Sequence, residues 1–405
     1  MTVMKRDKIT TPIIPCILCV VVFVISCVTQ ERIAVSQLDT PDHHTYTGLK
    51  LLELGKYSDA RRSFKMATQV DAKYSKAYTG MALINICTGK LAAASDNLVE
   101  GFKKAQSDDE KLFVYVAGIR YHTSNKSDIK WLDSAKNQFD EAVLIDYKYA
   151  PAYYYMGLAY KEALEFNRAR KMFATVIKLK TDHIDDATNQ INFLQEVQKA
   201  NPTSQTGKKI ALTERLTRAE TAALLMEELK IKELYEKHVP KAQNEQEKET
   251  EIIKEEKITG QVFTETFPIE PPPMKIWAHD IMEHPFQTHI EGVLETGVKG
   301  LENNPKGKFN PEEIISRGEF AIILEDVLIK VTGEKDLAGR YVNSKSLFPD
   351  VPADMPYFNA IISVTSRGIM EAKNVKTGEF GPLKPLSGVE AIFIIAKLKE
   401  VLKIN

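Results

Sequence analysis

The sequence has few cysteines and no excess of charge of either sign. Its 405 residues include four cysteines, and 54 Lys and Arg oppose 55 Asp and Glu. Four cysteines are too few for a disulfide-stapled scaffold. Nucleic-acid-binding proteins usually carry a cationic excess, so the balanced charge predicts no nucleic-acid partner. The length suggests two or three domains, and 43% hydrophobic residues are typical of a folded protein.

Motifs of catalysis are also missing from the sequence. It contains no phosphate-cradling glycine loop, no nucleophile elbow and no HExxH motif. His279, His284 and His289 follow one another at five-residue intervals, which would place them on different faces of a helix. The sequence therefore predicts no enzymatic activity, no metal site and no cofactor.

Three of the four cysteines lie in the first 27 residues, within a pattern typical of a secretory signal. A basic head with Lys5, Arg6 and Lys8 precedes an apolar run over residues 9–25. The run is short for a membrane span and is followed at once by polar residues.

The signal ends in Val24-Ile25-Ser26-Cys27, which resembles the lipobox of bacterial lipoproteins. The resemblance implies a signal peptide over residues 1–26, acylation of Cys27 and a tether over 27–41. Val28 follows the cysteine where Asp would favour retention at the inner membrane, so the resemblance implies an outer-membrane anchor facing the periplasm. The alternative is an uncleaved anchor with an incidental cysteine.

A repeat of 34 residues follows the tether. Small and aromatic residues recur in register, with one longer step of 41 residues between the second and third copies. The four sets are Ala60, Phe64 and Ala67; Ala94, Leu98 and Gly101; Ala135, Phe139 and Ala142; Ala169, Phe173 and Val176. Upstream of three of these sets, Gly48, Ala82 and Gly157 stand where two helices would cross. Stacked copies could bury an apolar face that one copy cannot.

This pattern resembles the tetratricopeptide repeat, a helix–turn–helix unit, and implies four repeats over residues 42–197. In that family the first helices line a groove that binds a protein partner. The residues carried over to such a groove are Thr45, Leu49, Leu52, Thr79, Leu83, Tyr154, Leu158 and Lys161. The alternative is that these residues pack against the tether or the second half of the chain.

A second repeat, of 71 residues, closes the chain after a linker at 198–210. With one residue gapped beside His284, the landmarks of one copy recur in the next. Asp280-Ile281, Gly297-Val298, Phe309-Asn310-Pro311 and Ser316-Arg317 return as Asp350-Val351, Gly368-Ile369, Phe380-Gly381-Pro382 and Ser387-Gly388. Thr217-Arg218-Ala219-Glu220 matches the closing helix alone, and nothing just upstream supplies a clear first half.

This set resembles the S-layer homology domain and implies three copies over residues 211–405. Copy one is partial, and a charged, proline-rich insertion occupies 235–274. In that family the copies form a pseudo-threefold helical prism that binds cell-wall polysaccharide, often through an acidic sugar.

The candidate glycan site rests on the start of the closing helices. Arg218 and Arg317 lie in the first turn, where the helix dipole disfavours a cation but free N–H groups suit a sugar carboxylate. Glu220 and Glu319 also belong to the candidate set, although capping boxes would explain them fully. Ser387 and Glu390 repeat the capping pattern, but Gly388 replaces the arginine of copy three. Trp277 could stack on a sugar or lie in the core.

The sequence therefore predicts a mostly α-helical fold, a tetratricopeptide solenoid followed by an S-layer homology module. The predicted function is a non-catalytic envelope adaptor anchored at Cys27, which binds a protein and cell-wall polysaccharide or peptidoglycan. The alternative is an outer-membrane secretion or pilus assembly lipoprotein whose closing module is purely structural.

Overall fold

The computed structural model describes residues 32–238 and 277–404. Over these ranges the chain forms sixteen α-helices and two short 3₁₀ helices, and no β-strand. The helices pack in consecutive pairs, as in a helical solenoid, so the predicted mostly α fold class is confirmed. Cys27, the predicted signal peptide and residues 239–274 of the predicted insertion lie outside the described residues.

The chain divides into two compact units, residues 1–155 and 156–405. The helices up to the division are α1 Pro41–Glu53, α2 Tyr57–Val70, α3 Ser75–Cys87, α4 Leu91–Lys104, α5 Asp108–Ser124, α6 Trp131–Ile145 and α7 Ala150–Glu162, within which the division falls. Those that follow are α8 Phe166–Leu179, α9 Ile184–Ala200, α10 Gln205–Ile210, α11 Arg218–Glu227, α12 Ile231–His238, α13 Gln287–Thr296, α14 Arg317–Thr332, α15 Phe358–Thr365 and α16 Gly388–Leu402. The 3₁₀ helices are His279–Ile281 and Lys335–Gly339.

In the first unit, a buried aromatic ring fills the gap where small residues let helices approach. Phe64 of α2 is fully buried, and a Cβ added to Gly48 or Gly80 would lie 2.7 Å or 2.2 Å from its ring. A larger residue at either glycine would therefore displace the ring. In the second unit Gly157 approaches the ring of Phe173 in the same way, with 2.6 Å to the added Cβ.

Some of the extra residues in the 41-residue step between the second and third repeats extend a helix. α5 has 17 residues, whereas α1 and α3 have 13 each. Ser107 opens α5 with a capping box to Glu110, which fixes its start. The insertion therefore lengthens the end of α5 and the loop before α6.

The second unit is built around one apolar cluster to which three helix pairs contribute equivalent residues. In α13, Ile290 and Val293 are buried seven and four residues before Gly297, which has a left-handed backbone. In α15, Ile361 and Val364 are buried at the same spacing before Gly368, which is also left-handed. Leu194 and Val197 of α9 are buried at the same spacing before Asn201, whose φ is 50°. The first helix of copy one is therefore α9.

The first helix of each copy packs on the closing helix of another copy, and the three contacts form a cycle. α13 packs on α11, α15 packs on α14, and α9 packs on α16. The sequence offered no first half for copy one because the Asp-Val and Gly-x-Phe-x-Pro landmarks are missing there. In copy one the short helix α10 takes the place of the Gly-x-Phe-x-Pro loop.

Three backbone hydrogen bonds close the arrangement into a ring, which we call the closing ring. The Leu216 N–H donates to Leu386 O (2.7 Å), the Ile315 N–H to Leu216 O (2.9 Å), and the Leu386 N–H to Ile315 O (3.1 Å). Each residue immediately precedes the N-cap of a closing helix. The three helix starts are therefore fixed relative to one another.

Candidate functional site

The closing helices begin with polar caps, as their sequences predict. The hydroxyls of Thr217 and Ser316 each accept a hydrogen bond from the backbone N–H three residues on. The carboxylates of Glu220 and Glu319 in turn accept from the backbone N–H of the cap residue. Glu220 also accepts from the Thr213 hydroxyl (2.9 Å). Both glutamates therefore have a complete structural role at these helix starts.

Copy three differs from the predicted capping box. Ser387 caps α16, but the Glu390 carboxylate turns away from the cap and pairs with Arg317 and with Lys373 Nζ, the latter at 2.6 Å. This carboxylate therefore lies between two copies and compensates two cations.

Arg218 and Arg317 each reach into the loop of the following copy. Arg218 Nε donates to Phe309 O (2.8 Å), and its Nη1 and Nη2 donate to Gly300 O (3.1 Å) and Glu302 O (2.9 Å). Its guanidinium also lies 4.7 Å from the centre of the Phe309 ring. Arg218 is half-buried, so it connects copies one and two while part of the side chain stays accessible.

Arg317 repeats this arrangement between copies two and three and is 2% exposed. Its Nε donates to Phe380 O (2.9 Å), its Nη2 to Glu371 O (2.6 Å), and its Nη1 to Glu390. Burial lowers the pKa of Arg317, and the neighbouring Glu390 acts in the opposite direction. The guanidinium therefore serves to hold two copies together and offers little surface to a ligand.

Two aspartates that sequence reasoning did not assign hold the same loops from the other side. Asp280 accepts from the N–H groups of Phe309 (2.9 Å) and Asn310 (2.7 Å), and Asp350 accepts from Phe380 (2.8 Å) and Gly381 (2.7 Å). Burial alone would raise the pKa of Asp280, but these backbone donors outweigh it and lower the pKa. The recurrence of an aspartate at the same landmark of both copies, 70 residues apart, was the signal that could have identified them.

Gly388, which replaces the arginine in copy three, is required by a close backbone approach. A Cβ added there would lie 1.7 Å from Ile210 O. The N–H of Gly388 donates to Thr213 O (2.8 Å), which brings copy three against copy one. No side chain fits this position, so the arginine scheme cannot recur there.

A pocket of about 160 Å³ lies between copies two and three, and we call it the basic groove. Arg317 and Glu390 lie in its wall together with Lys373, Lys397 and Phe393. Phe393 is 43% exposed, and Lys397 Nζ lies 5.6 Å from the centre of its ring. An aromatic face beside two lysines suits a sugar ring that carries an acidic group.

The equivalent positions in the other copies have different chemistry. Lys373 and Lys397 correspond to Glu302 and Asp326 in copy two, and Phe393 corresponds to Ile322. In copy one, Glu227 stands at the position of Lys397 and pairs with His289. The two lysines and the aromatic ring thus coincide in the basic groove alone among the described copies.

Trp277 lies outside the basic groove, in copy two. Its side chain is half-buried and packs against the core of the second unit, and its carbonyl accepts a hydrogen bond from Asn303 Nδ2 (2.6 Å). These contacts agree with the core interpretation of this residue, which the sequence had left open.

The residues expected to line a groove in the helical repeats differ in exposure. Thr45, Thr79 and Leu83 are only 3%, 0% and 3% exposed, because they pack between helices, and they offer no surface. Lys161 is half-buried, and its Nζ donates to Gln190 Oε1 of α9 (2.8 Å). The remaining four are half-buried: Leu49, Leu52, Tyr154 and Leu158.

The described helices and side chains bear on membrane and metal chemistry. None of the helices in residues 32–238 and 277–404 is long and apolar enough to cross a membrane. Over the same residues, no group of three or more His, Cys, Asp and Glu side chains is placed to hold a metal ion. His284 pairs with Glu312 and His289 with Glu227, so these histidines have separate partners.

Comparison with known proteins finds an S-layer homology domain within the second unit. The S-layer homology domain family matches residues 301–321, which include the Phe309 loop and the start of α14. The chain is also 34% identical over 112 residues to the Surface-layer 125 kDa protein of Lysinibacillus sphaericus, a match that covers 28% of this chain. It covers 8% of that relative, so the chain spans only a small part of its length. An S-layer homology domain at these residues points to the cell envelope or surface.

Proposed function

We propose that this chain is a non-catalytic envelope adaptor that binds an acidic cell-wall polysaccharide through the basic groove. The observation that carries the proposal is the coincidence of Lys373, Lys397 and Phe393 around one pocket between two copies. Arg317 lies behind this surface and sets its shape by holding the Phe380 loop. The lysines, rather than the arginines, are then the groups that meet the sugar acid.

The other parts of the proposal concern the anchor and the partner. Acylation of Cys27 would fix the chain to the outer membrane, on the periplasmic side. The helical pairs of the first unit would bind a protein, with Leu49 and Leu52 of α1 as accessible apolar contacts. Support for this comes from the lipobox resemblance and from the half-buried state of both leucines.

A second candidate is an assembly lipoprotein for a secretion or pilus machine, in which the closing module is structural. The observation in its favour is the use of Arg218 and Arg317 to bind backbone carbonyls between copies. In that case the basic groove would have no affinity for sugar.

The experiment is retention on purified sacculi, with and without their acidic secondary polymer. The variant Lys373→Glu/Lys397→Asp gives the basic groove the residues of copy two. A loss of two charge-assisted contacts at about 1.5 kcal/mol each should lower retention at least tenfold.

The matched control is Lys335→Glu/Lys345→Glu, which changes the net charge equally at two exposed positions. Retention of this control should stay within about twofold of the unaltered chain, since exposed single charges contribute little. Equal retention of all three proteins, on wall material with or without the polymer, would favour the assembly candidate.

A further inference from the structure

The segment before α1 is a loop held in one conformation by a buried carboxylate. Asp39 is 5% exposed and accepts two hydrogen bonds from the Arg32 guanidinium, one of them at 2.6 Å. It also accepts from the Val35 N–H (2.8 Å) and pairs with His44 Nε2 (2.7 Å). The Arg32 N–H donates to Gln69 O of α2 (2.7 Å), which ties the loop to the first helical pair.

This fixed loop displays aliphatic side chains to solvent. Ile33, Val35 and Leu38 are 89%, 83% and 67% exposed, and Val35 and Leu38 line one pocket of about 350 Å³. A folded segment usually turns such residues inward, because exposed apolar surface is unfavourable in water. Three of them on one short, well-held loop indicate a surface that becomes covered.

The charge of the loop suits an apolar environment. Arg32 is the only charged residue among residues 32–38, and its guanidinium is paired with Asp39. Arg32 holds the pKa of Asp39 well below its usual range, with further help from His44 and the Val35 amide. A pair of fixed opposite charges brings no net charge toward an apolar phase.

The short distance along the chain from Cys27 to Ile33 points to the bilayer as the surface that covers this loop. Six residue steps separate Cys27 from Ile33, and an extended chain spans at most about 3.6 Å per residue, or roughly 20 Å in all. If Cys27 is acylated, as the proposed function holds, Ile33 lies within that distance of the bilayer. The protein partner proposed above would contact Leu49 and Leu52, which lie on α1 and not on this loop.

We propose that Ile33, Val35 and Leu38 form a membrane foot that inserts into the headgroup and upper acyl region of the bilayer. The foot rests on the proposed lipid anchor for its location and adds a second contact to it. Buried aliphatic side chains strengthen interfacial binding in proportion to the area removed from water. The first unit would then be held against the membrane surface and not suspended from it.

The test uses the full-length chain, purified from membranes and reconstituted in vesicles of phosphatidylethanolamine and phosphatidylglycerol. A Val35→Trp variant carries the reporter, and Val99→Trp is the matched control, since Val99 is 61% exposed on α4 of the same unit. The fluorescence of the unaltered chain supplies the background of Trp131 and Trp277. With brominated acyl chains, the Val35→Trp reporter should be quenched at least threefold more than the Val99→Trp reporter.

A second variant tests whether the foot acts as a unit. Adding Ile33→Ser and Leu38→Ser to Val35→Trp should abolish the extra quenching while circular dichroism stays unchanged. Equal quenching at positions 35 and 99 would overturn the proposal. A blue shift of the position-35 reporter that needs envelope proteins and does not occur with lipid alone would overturn it too.

The anchor is tested separately, by the mass of the amino-terminal peptide. An acylated peptide without quenching at position 35 refutes the foot and leaves the anchor standing. A peptide without acyl chains refutes the anchor, and quenching at position 35 then still decides whether the foot binds lipid.

Discussion

Replacing Arg317 by Ala should destabilise the second unit far more than removing an exposed arginine would. The substitution takes donors away from Phe380 O, Glu371 O and the Glu390 carboxylate. It also removes a cation 4.5 Å from the centre of the Phe380 ring. The polar contacts that Arg317 makes between copies two and three are therefore all lost at once.

The magnitude follows from burial. The side chains of Arg317 and Glu390 are 3% and 17% exposed, and removal of one partner from a buried ion pair costs about 3–5 kcal/mol. Glu390 keeps its contact with Lys373, so we expect a value near the lower end, about 3 kcal/mol. For a unit of this size that corresponds to a fall in Tm of roughly 6–12 °C.

The assay is urea unfolding followed by fluorescence in a Trp131→Phe background, so that Trp277 reports on the second unit alone. Arg340→Ala is the matched control, because Arg340 is 35% exposed and pairs with carboxylates at the surface. Such pairs contribute about 1 kcal/mol or less. An unfolding free energy for Arg317→Ala equal to that of Arg340→Ala would refute the reasoning. The result also decides how wall-binding data are interpreted, since an unfolded variant loses retention without revealing a sugar contact.

Three further substitutions test other parts of the structure. Gly388→Ala should lower the Tm of the second unit by several degrees, because the new Cβ would meet Ile210 O at 1.7 Å. Burial raises the pKa of Glu325, so the folded state binds the proton more tightly than the unfolded state does. The free energy of unfolding should therefore fall as the pH rises from the ordinary glutamate pKa through the raised one. Glu325→Gln should remove that fall, as urea unfolding at about pH 5 and about pH 8 would show. Phe64→Ala should cost the first unit about 3–5 kcal/mol in urea unfolding, since the ring is fully buried between two glycines.

Local chemistry made much of the second unit predictable. The capping boxes at Thr217 and Ser316 depend on residues three positions apart, so sequence spacing alone identifies them. The 71-residue repeat likewise placed the Phe309 and Phe380 loops in equivalent positions. Predictions of this kind rest on contacts between near neighbours in the chain.

Contacts between distant residues were harder to predict. The acceptors of Arg218 lie 82 to 91 residues away, so its N-terminal position in the helix suggested a free cation. In the sequence, Gly388 stands where the other two copies have arginine, which suggested a site that had lost its function. In the structure, the approach of Ile210 O requires a residue without a side chain at this position. The charge difference between Lys397 and Asp326 was present in the sequence, but only the pocket shows that position 397 faces a groove.

The role of α9 changes where this protein can be divided. A fragment that starts at residue 211 would keep all three closing helices and still lose Leu194 and Val197, which are 1% exposed in the intact unit. The face of α16 would then be left open, and such a fragment should aggregate. Laboratory truncations, and any natural exchange of modules, would have to cut upstream of α9, within what the sequence presents as the helical repeats.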